Sequence, residues 1–326
     1  MNEKYMEILQ QYDLELLSAR KGRGAWLCET DHGLKLVKEY RGTVRRLEFE
    51  DEVLKAVAER ARIPVDRCVR NREDGLLSIA GDGTRYIVKD WFPDRECSIK
   101  DTREVLQAAE RIAALHRVLR ELPFKEEWSM GSILGESLAG EMRRHNQELW
   151  RARNFVRGKR RKTGFELQVI SGFGKFYEQA KTAAEGMGRI FTEEKDQALF
   201  LCHGDLDQHH LLMTGRGIAF IEFNRMQMGV QVTDLYHFLR KVMEKHDWNS
   251  ALGMSVLDIY QRSLPFSGRE RECLYYLFLY PEKYWKQINF YYNANKAWIP
   301  ERNIEKLEKL EEQEEKRWNF LRQIGG

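Results

Sequence analysis

The sequence has no CxxC pair and no cluster of cysteines. Cys28, Cys68, Cys97, Cys202 and Cys273 lie far apart along 326 residues and are odd in number. That spacing excludes a disulfide framework and a zinc ribbon, and predicts free thiols made in a reducing compartment. Long apolar runs are lacking too. The longest nearly unbroken one, around Leu274–Tyr280, falls far short of the about 20 residues that a membrane-spanning helix needs. The opening stretch MNEKYMEILQQYDLE is acidic and has no apolar core, so no signal peptide is expected. Net charge is nearly absent: 54 Lys and Arg against 51 Asp and Glu leave +3, too little for a general nucleic-acid coating protein. No internal repeat of solenoid or propeller length is evident. What the chain does have is 42% apolar and 32% charged residues, enough for a core and against wholesale disorder. Its length suggests two domains or lobes.

Residues 1–20 carry Tyr5, Ile8, Leu9, Tyr12 and Leu16 at helical spacing. Ala25–Glu29 and Leu34–Glu39 read as two strands joined at Asp31–Gly33. Thr43 caps a helix running to about Arg60, and Pro64 ends that unit. Leu76–Ala80 and Arg85–Val88 are the next strands. After Trp91-Phe92-Pro93 the pattern turns helical: Thr102–Leu119, a stretch near Gly135–Phe155, Gly172–Glu185, Val232–His246, Ser255–Ser263 and Glu270–Phe278. One island of strands interrupts it, at Leu199–Cys202, Leu211–Met213 and Ile218–Phe223. The expected organisation is an α+β fold. A small β-rich N-terminal lobe spans residues 1–90 and a large helical C-terminal lobe spans 91–326, with a hinge at Asp90–Pro93.

The segment His203-Gly204-Asp205 between two short apolar strands carries the clearest chemistry. Kinases place a carboxylate on such a loop, after a His, to accept the proton of the attacking hydroxyl. Asp205 and His203 are therefore the candidate catalytic residues, His203 chiefly as the group that holds the loop. The protein-kinase form H-R-D-x-x-x-x-N puts a metal-binding Asn five residues after the Asp; here that residue is His210. A second carboxylate, needed for Mg²⁺, is expected after the following strand–turn–strand. The sequence there is Ile221-Glu222-Phe223-Asn224, so Glu222 stands in an Asp position. Mg²⁺ prefers hard oxygen ligands over imidazole, which makes His210 a poor ligand and leaves Asn224 or Asp207 to compensate. Grouping His203, His209 and His210 as a separate metal site lacks the usual Cys or helical His spacing. In the first lobe, Leu36-Val37-Lys38 fits a strand Lys that grips nucleotide phosphates. Glu50 lies among Leu47, Leu54, Val57 and Ala61 on one helix face, where a carboxylate is costly unless paired. Lys38 is the expected partner. Glu48 and Glu52 are the alternatives. Lys21-Gly22-Arg23-Gly24 is a partial glycine-rich loop in which Arg23 offers a phosphate contact.

The H-G-D form resembles aminoglycoside and choline phosphotransferases. Nearly the whole chain resembles the CotS-type spore coat proteins, a kinase-fold branch related to them. The resemblance rests on VKEYRG (37–42), RLEFE (46–50), DWFPDRE (90–96), Cys202–Met213, VQVTDLYHFLRKVMEK (230–245), YPEKYWK (280–286) and NKAW (295–298). It implies a bilobal protein-kinase-like fold of the aminoglycoside phosphotransferase type. Lys38, Glu50, Asp90 and Trp91 would line the cofactor site, Glu222, His210 and Asn224 would hold metal, and Asp234 would brace the catalytic loop. It further implies synthesis in the mother-cell cytoplasm, assembly into the spore coat, and other coat proteins as partners. Two functions compete: a kinase-fold coat protein with degenerate transfer chemistry, a pseudokinase, and an active phosphotransferase. The second would take ATP and Mg²⁺ and a small-molecule or protein hydroxyl acceptor.

Two charged or aromatic features remain. Arg143–Lys162 holds nine Lys and Arg against Glu148 alone, read as a solvated helix face or a surface for an acidic partner. Nucleic-acid binding there has no recognised reader motif beside it. The tail ERNIEKLEKLEEQEEKRW reads as a solvated helix with surface ion pairs. Tyr284, Trp285, Tyr291, Tyr292 and Trp298 read as packing of the final helices.

Overall fold

Alternation along the first strands gives the N-terminal sheet two working faces. In β2 (Ala25–Thr30) and β3 (Gly33–Glu39), Trp26 pairs with Val37 and Cys28 with Lys35. In β3 and β5 (Arg85–Asp90), Leu36 stands opposite Lys89 and Lys38 opposite Ile87. Side chains two apart share a face and opposed pairs point the same way. One face presents Cys28, Val37 and Val88 to Ile8, Leu9 and Tyr12. The other presents Ala25, Leu27 and Leu36, which pack with Trp91 against Leu212, Ala219 and Ile221. The strands β1 (Leu16–Gly22) and β4 (Ser78–Ile79) complete an antiparallel sheet in the order β1-β2-β3-β5-β4. The computed structural model describes residues 4–92, 95–123, 125, 128, 133–191, 199–293 and 301–325.

The N-terminal helical spacing holds only as far as α1 (Lys4–Leu9); Leu16 opens β1 instead. Pairing with β2 overrides the local pattern there. Helix α2 (Val44–Ala61) starts at Thr43, whose hydroxyl accepts from the Arg46 N–H, and stops at Arg62 in the left-handed region, φ 50°. Its buried side includes Leu47, Glu50, Leu54 and Val57, as the spacing requires. Helix α3 (Thr102–Glu121), strand β6 (Phe200–Cys202) and the hairpin of β7 (Leu211–Thr214) with β8 (Gly217–Phe220) complete this part.

The chain packs as two compact units: residues 1–133 with 200–227, and residues 134–199 with 228–326. The loop after β6 and the hairpin thus belong with the β-rich sheet. The second unit is helical: α4 (Leu138–Gly158), α5 (Gly164–Ile190), α6 (Val232–Lys245), α7 (Ser250–Ser263), α8 (Gly268–Leu279), α9 (Glu282–Asn293), α10 (Arg302–Glu312) and α11 (Glu314–Ile324). Helix α5 begins earlier than the sequence predicts, because Thr163 and Glu166 form a capping box ahead of buried Phe165 and Val169. The aromatic stretch packs as expected: Tyr284 stacks on Phe176 and Trp285 on His145. Trp298 lies outside the described residues. The tail corrects the solvated reading. Arg317 is buried, pairs with Glu314 and Gln179, and donates to the Phe278 carbonyl. A buried guanidinium that satisfies helix-end carbonyls turns α11 into a structural element rather than a solvated one.

All five thiols are free and buried. Burial pushes the Cys28 thiol up to about 11 and the Cys68, Cys97 and Cys273 thiols up to about 12, so they pack as inert apolar groups. Among the described residues no helix is long and apolar enough to cross a membrane.

Candidate functional site

The register of β3 sends Lys38 toward the inner face, where its Nζ lies 3.3 Å from Oε1 of Glu222. Glu222 follows β8 and Ile221 in the left-handed region, φ 65°. A non-glycine residue is held there only when its surroundings demand it. The demand comes from Asp66, whose Oδ2 accepts the Glu222 N–H at 2.9 Å and the Lys89 ammonium at 3.1 Å. Asp66 and Lys89 are both buried. Burial pulls the Lys89 amine down, but the Asp66 and Glu50 charges and the Asp66 hydrogen bond outweigh it, so Lys89 stays firmly cationic.

His210 completes the surround of Glu222. It sits in the turn Gln208–His210, capped by Asp207, whose Oδ1 accepts the His209 N–H. The His210 Nε2 is 3.7 Å from Glu222 Oε2, and its Nδ1 is 3.1 Å from Asp207 Oδ1. Burial lowers the His210 pKa, but the Asp207 contact and the Asp207, Asp205 and Glu222 charges raise it beyond that loss. Each oxygen of Glu222 therefore faces a cationic or readily protonated nitrogen.

His203 is fully buried. Its Nδ1 accepts the Asp205 N–H at 3.3 Å, so Nε2 carries the proton and donates to the Ile221 carbonyl at 3.0 Å. This imidazole ties the loop to the end of the hairpin. Gly204 has φ 85°, and a Cβ there would stand 2.1 Å from the Arg225 carbonyl oxygen, so only glycine fits. Asp205 is half exposed, with Oδ2 at 3.4 Å from Arg225 Nε.

Glu50 is buried, but the expected Lys38–Glu50 pair does not form. Arg46, one turn earlier on α2, donates to Glu50 at 3.0 Å and also holds the Asn224 and Met226 carbonyls. The i,i+4 neighbour reaches the carboxylate without crossing the cavity. Burial raises the Glu50 pKa, opposed by the Lys89 and Arg46 charges. Lys38, Arg46, Glu50, Asp66, Lys89 and Glu222 line one cavity of about 350 Å³, with Asn224 exposed at its wall. Asp90 instead bonds Lys35 at 2.7 Å, and the Trp91 N–H donates to the Leu34 carbonyl. Trp91 is buried in the apolar layer with Ala25, Leu27, Leu36, Leu212 and Ile221. Asp234 lies fully buried in the first turn of α6, in the second unit.

The β1–β2 turn is tied down as well. Arg23 donates to Glu96 at 2.6 Å and to the His209 carbonyl at 3.1 Å, while Glu96 holds His209 Nδ1 at 2.6 Å. The contact expected for a phosphate is taken by a carboxylate. Sequence reading missed Asp66, Lys89 and Glu96. Lys89 had left a signal: a charge inside the apolar strand RYIVKD needs a buried partner.

Residues 16–275 match the phosphotransferase enzyme family. The chain belongs to this family. Its fold is the kinase-like fold of the aminoglycoside phosphotransferases. An aminoglycoside phosphotransferase from Alicyclobacillus acidocaldarius superposes with a TM-score of 0.82 at 16% identity, over 98% of this chain and 94% of that one. The AMP-bound spectinomycin phosphotransferase gives 0.71 at 11%, over 97% and 98%. A microcompartment-associated aminopropanol kinase gives 0.64 at 15%, over 98% of each chain. No curated protein matches the chain in sequence.

At the metal position the donor set of this phosphotransferase-family chain departs from the all-oxygen set that Mg²⁺ prefers. In such sites one or two side-chain oxygens hold the ion, and phosphates and waters complete its octahedron. Glu222 has both oxygens engaged by nitrogen groups, and imidazole replaces the Asn amide.

Proposed function

We propose that this phosphotransferase-family protein acts as a kinase-fold coat protein of the CotS type in endospore coat assembly, with its transfer chemistry lost at the metal position. The coat role and coat-protein partners rest on the sequence stretches that resemble that family. The loss of chemistry rests on one observation: Lys38 and His210 engage the two oxygens of Glu222. The apolar layer supports it. Nucleotide in a kinase lies between the glycine-rich loop with its strand Lys and the metal-binding carboxylate segment. Here Leu36, Leu212 and Ile221 belong to one buried apolar cluster.

Two measurements test this. Millimolar ATP with Mg²⁺ should leave the melting temperature unmoved. Spores carrying Asp205→Asn should keep normal coat composition, whereas spores lacking the protein should not. A Mg²⁺-dependent shift together with a coat defect from Asp205→Asn would overturn the reading. That outcome would favour the second one, an ATP-dependent phosphotransferase. What favours it now is the half-exposed Asp205 carboxylate at the loop tip, open to a small-molecule or protein hydroxyl.

A further inference from the structure

The basic run resolves into a specific surface on the second unit. Arg144 is neutralised by Glu136 and Glu148, and Lys159 by Glu166. Arg153 lies over the Trp150 and Phe173 rings. Arg151, Arg157, Arg160 and Arg161 are exposed, and among the described residues no carboxylate lies within ion-pair distance of them. Arg157 suits the last turn of α4, where the helix dipole favours a cation. The other three lie outside that turn, so helix stability does not account for them.

Arg151 lines a recess of about 320 Å³ between α4 and α9, together with Leu149, Ala152, Phe155, Trp285, Ile288, Asn289 and Tyr292. Phe155 is 59% exposed, and Leu167 just beyond the arginines is 57% exposed. Glu148, at the far end of the recess, is already held by Arg144 and the Trp285 indole N–H. Arg151 is one turn from Phe155 on the same helix face. A largely apolar recess thus carries the unneutralised Arg151 on its wall, and Arg160 and Arg161 follow Lys159, whose ammonium lies 5.6 Å over the Phe155 ring.

We propose that this surface docks an acidic polypeptide segment of a partner protein, with one aromatic or large aliphatic side chain in the α4–α9 recess and flanking carboxylates on Arg151, Arg160 and Arg161. A peptide fits better than a nucleic acid. Phe155 meets Tyr292 edge to face, ring planes at 87°, which builds a wall for a side chain rather than a platform for stacked bases. Arginines around an aromatic anchor are the composition of an interface centre. The proposal concerns a surface of the second unit and stands apart from the reading of the Lys38–Glu222 site.

The probe is a fluorescein-labelled Glu-rich peptide with a single central Phe, titrated with the full chain and read by anisotropy at low salt and at about 0.15 M salt. Saturable binding that weakens with salt is expected. Arg160→Glu with Arg161→Glu should weaken it about tenfold or more, since like charges then face each other. Lys100→Glu with Arg103→Glu, an equal charge change on the other unit, should leave it unchanged. Replacing the peptide's Phe by Ser should weaken binding about fivefold or more. The proposal is overturned by no binding, by equal losses from the two charge-reversed variants, by indifference to the Phe, or by an oligonucleotide of equal charge that binds more tightly than the peptide.

Discussion

The Lys38 ammonium and the Glu222 carboxylate lie 3.3 Å apart, and His210 approaches the other Glu222 oxygen at 3.7 Å. In a metal-dependent site, removing such a carboxylate weakens binding of a metal–polyphosphate. Here it would release two nitrogen groups. Glu222→Gln is therefore expected to bind tripolyphosphate in the presence of EDTA about tenfold more tightly than the unaltered chain, the effect of removing one like charge from the phosphate's neighbourhood. Calorimetry decides it. Weaker or equal binding by the variant would show that Glu222 does not hold Lys38 and His210 away from an anion.

The Asp207–His210 contact carries a pH signature. Burial raises the Asp207 pKa, but the His210 contact and the His209 N–H outweigh it and bring the carboxyl down to about 2 from 3.8. Its contribution is present above 3.8 and fades as pH falls toward about 2. The His210 pKa is raised above 6.5, so its contribution is full below 6.5 and fades as pH rises through the folded value. The pair supports the fold most between about pH 4 and 6.5. Melting curves of the unaltered chain and of His210→Gln should differ most in that window, by on the order of 1–2 kcal/mol, and converge at higher pH. A gap that widens above neutrality would contradict this linkage.

Much of this site was legible in the residues. Lys38 follows from an apolar strand ending in a charge, Asp205 from a loop carboxylate after His-Gly, and the burial of Glu50 from its place in an apolar helical stripe. What spacing cannot give is the partner. Glu50 has an i−4 arginine and a strand lysine within reach, and side-chain geometry in the folded state chose Arg46. Asp66 was silent because its partners, Lys89 and the Glu222 N–H, are 23 and 156 residues away and no local pattern joins them. The tail failed for a related reason: its charges alternate as on a solvated helix, yet Arg317 turns inward to carbonyls at the end of α8. The two-faced sheet, by contrast, was encoded in the period-two pattern of β2 and β3 and needed no long-range information.

Gly204 should tolerate no side chain. With φ 85° and the Arg225 carbonyl 2.1 Å from a Cβ, Gly204→Ala must move the loop between His203 and Asp205. A loss of more than about 1 kcal/mol is expected, with faster hydrogen exchange at the Asp205 N–H as its hydrogen bond to His203 weakens. Gly215 is the control: nothing stands within 4 Å of its Cβ position and its φ is not positive. Gly215→Ala should stay within about 0.5 kcal/mol of the unaltered chain. Equal effects at the two glycines would remove the steric account.

The buried Asp66–Lys89 pair is the support beneath Glu222, and it should show as energetic coupling. Asp66 Oδ2 serves both the Lys89 ammonium and the Glu222 N–H. Asp66→Ala strands a buried ammonium and removes the acceptor that holds Glu222 in its left-handed conformation. A cost of about 3–5 kcal/mol is expected. Lys89→Met alone leaves an unpaired buried carboxylate and should also be costly. The double variant removes both charges, so its loss should fall short of the summed single losses by about 1 kcal/mol or more. Asp66→Asn should lie between, because its amide oxygen still accepts the Glu222 N–H while the charge is gone. Urea midpoints of the unaltered chain and the four variants measure this directly. Strict additivity would mean that Asp66 and Lys89 act independently.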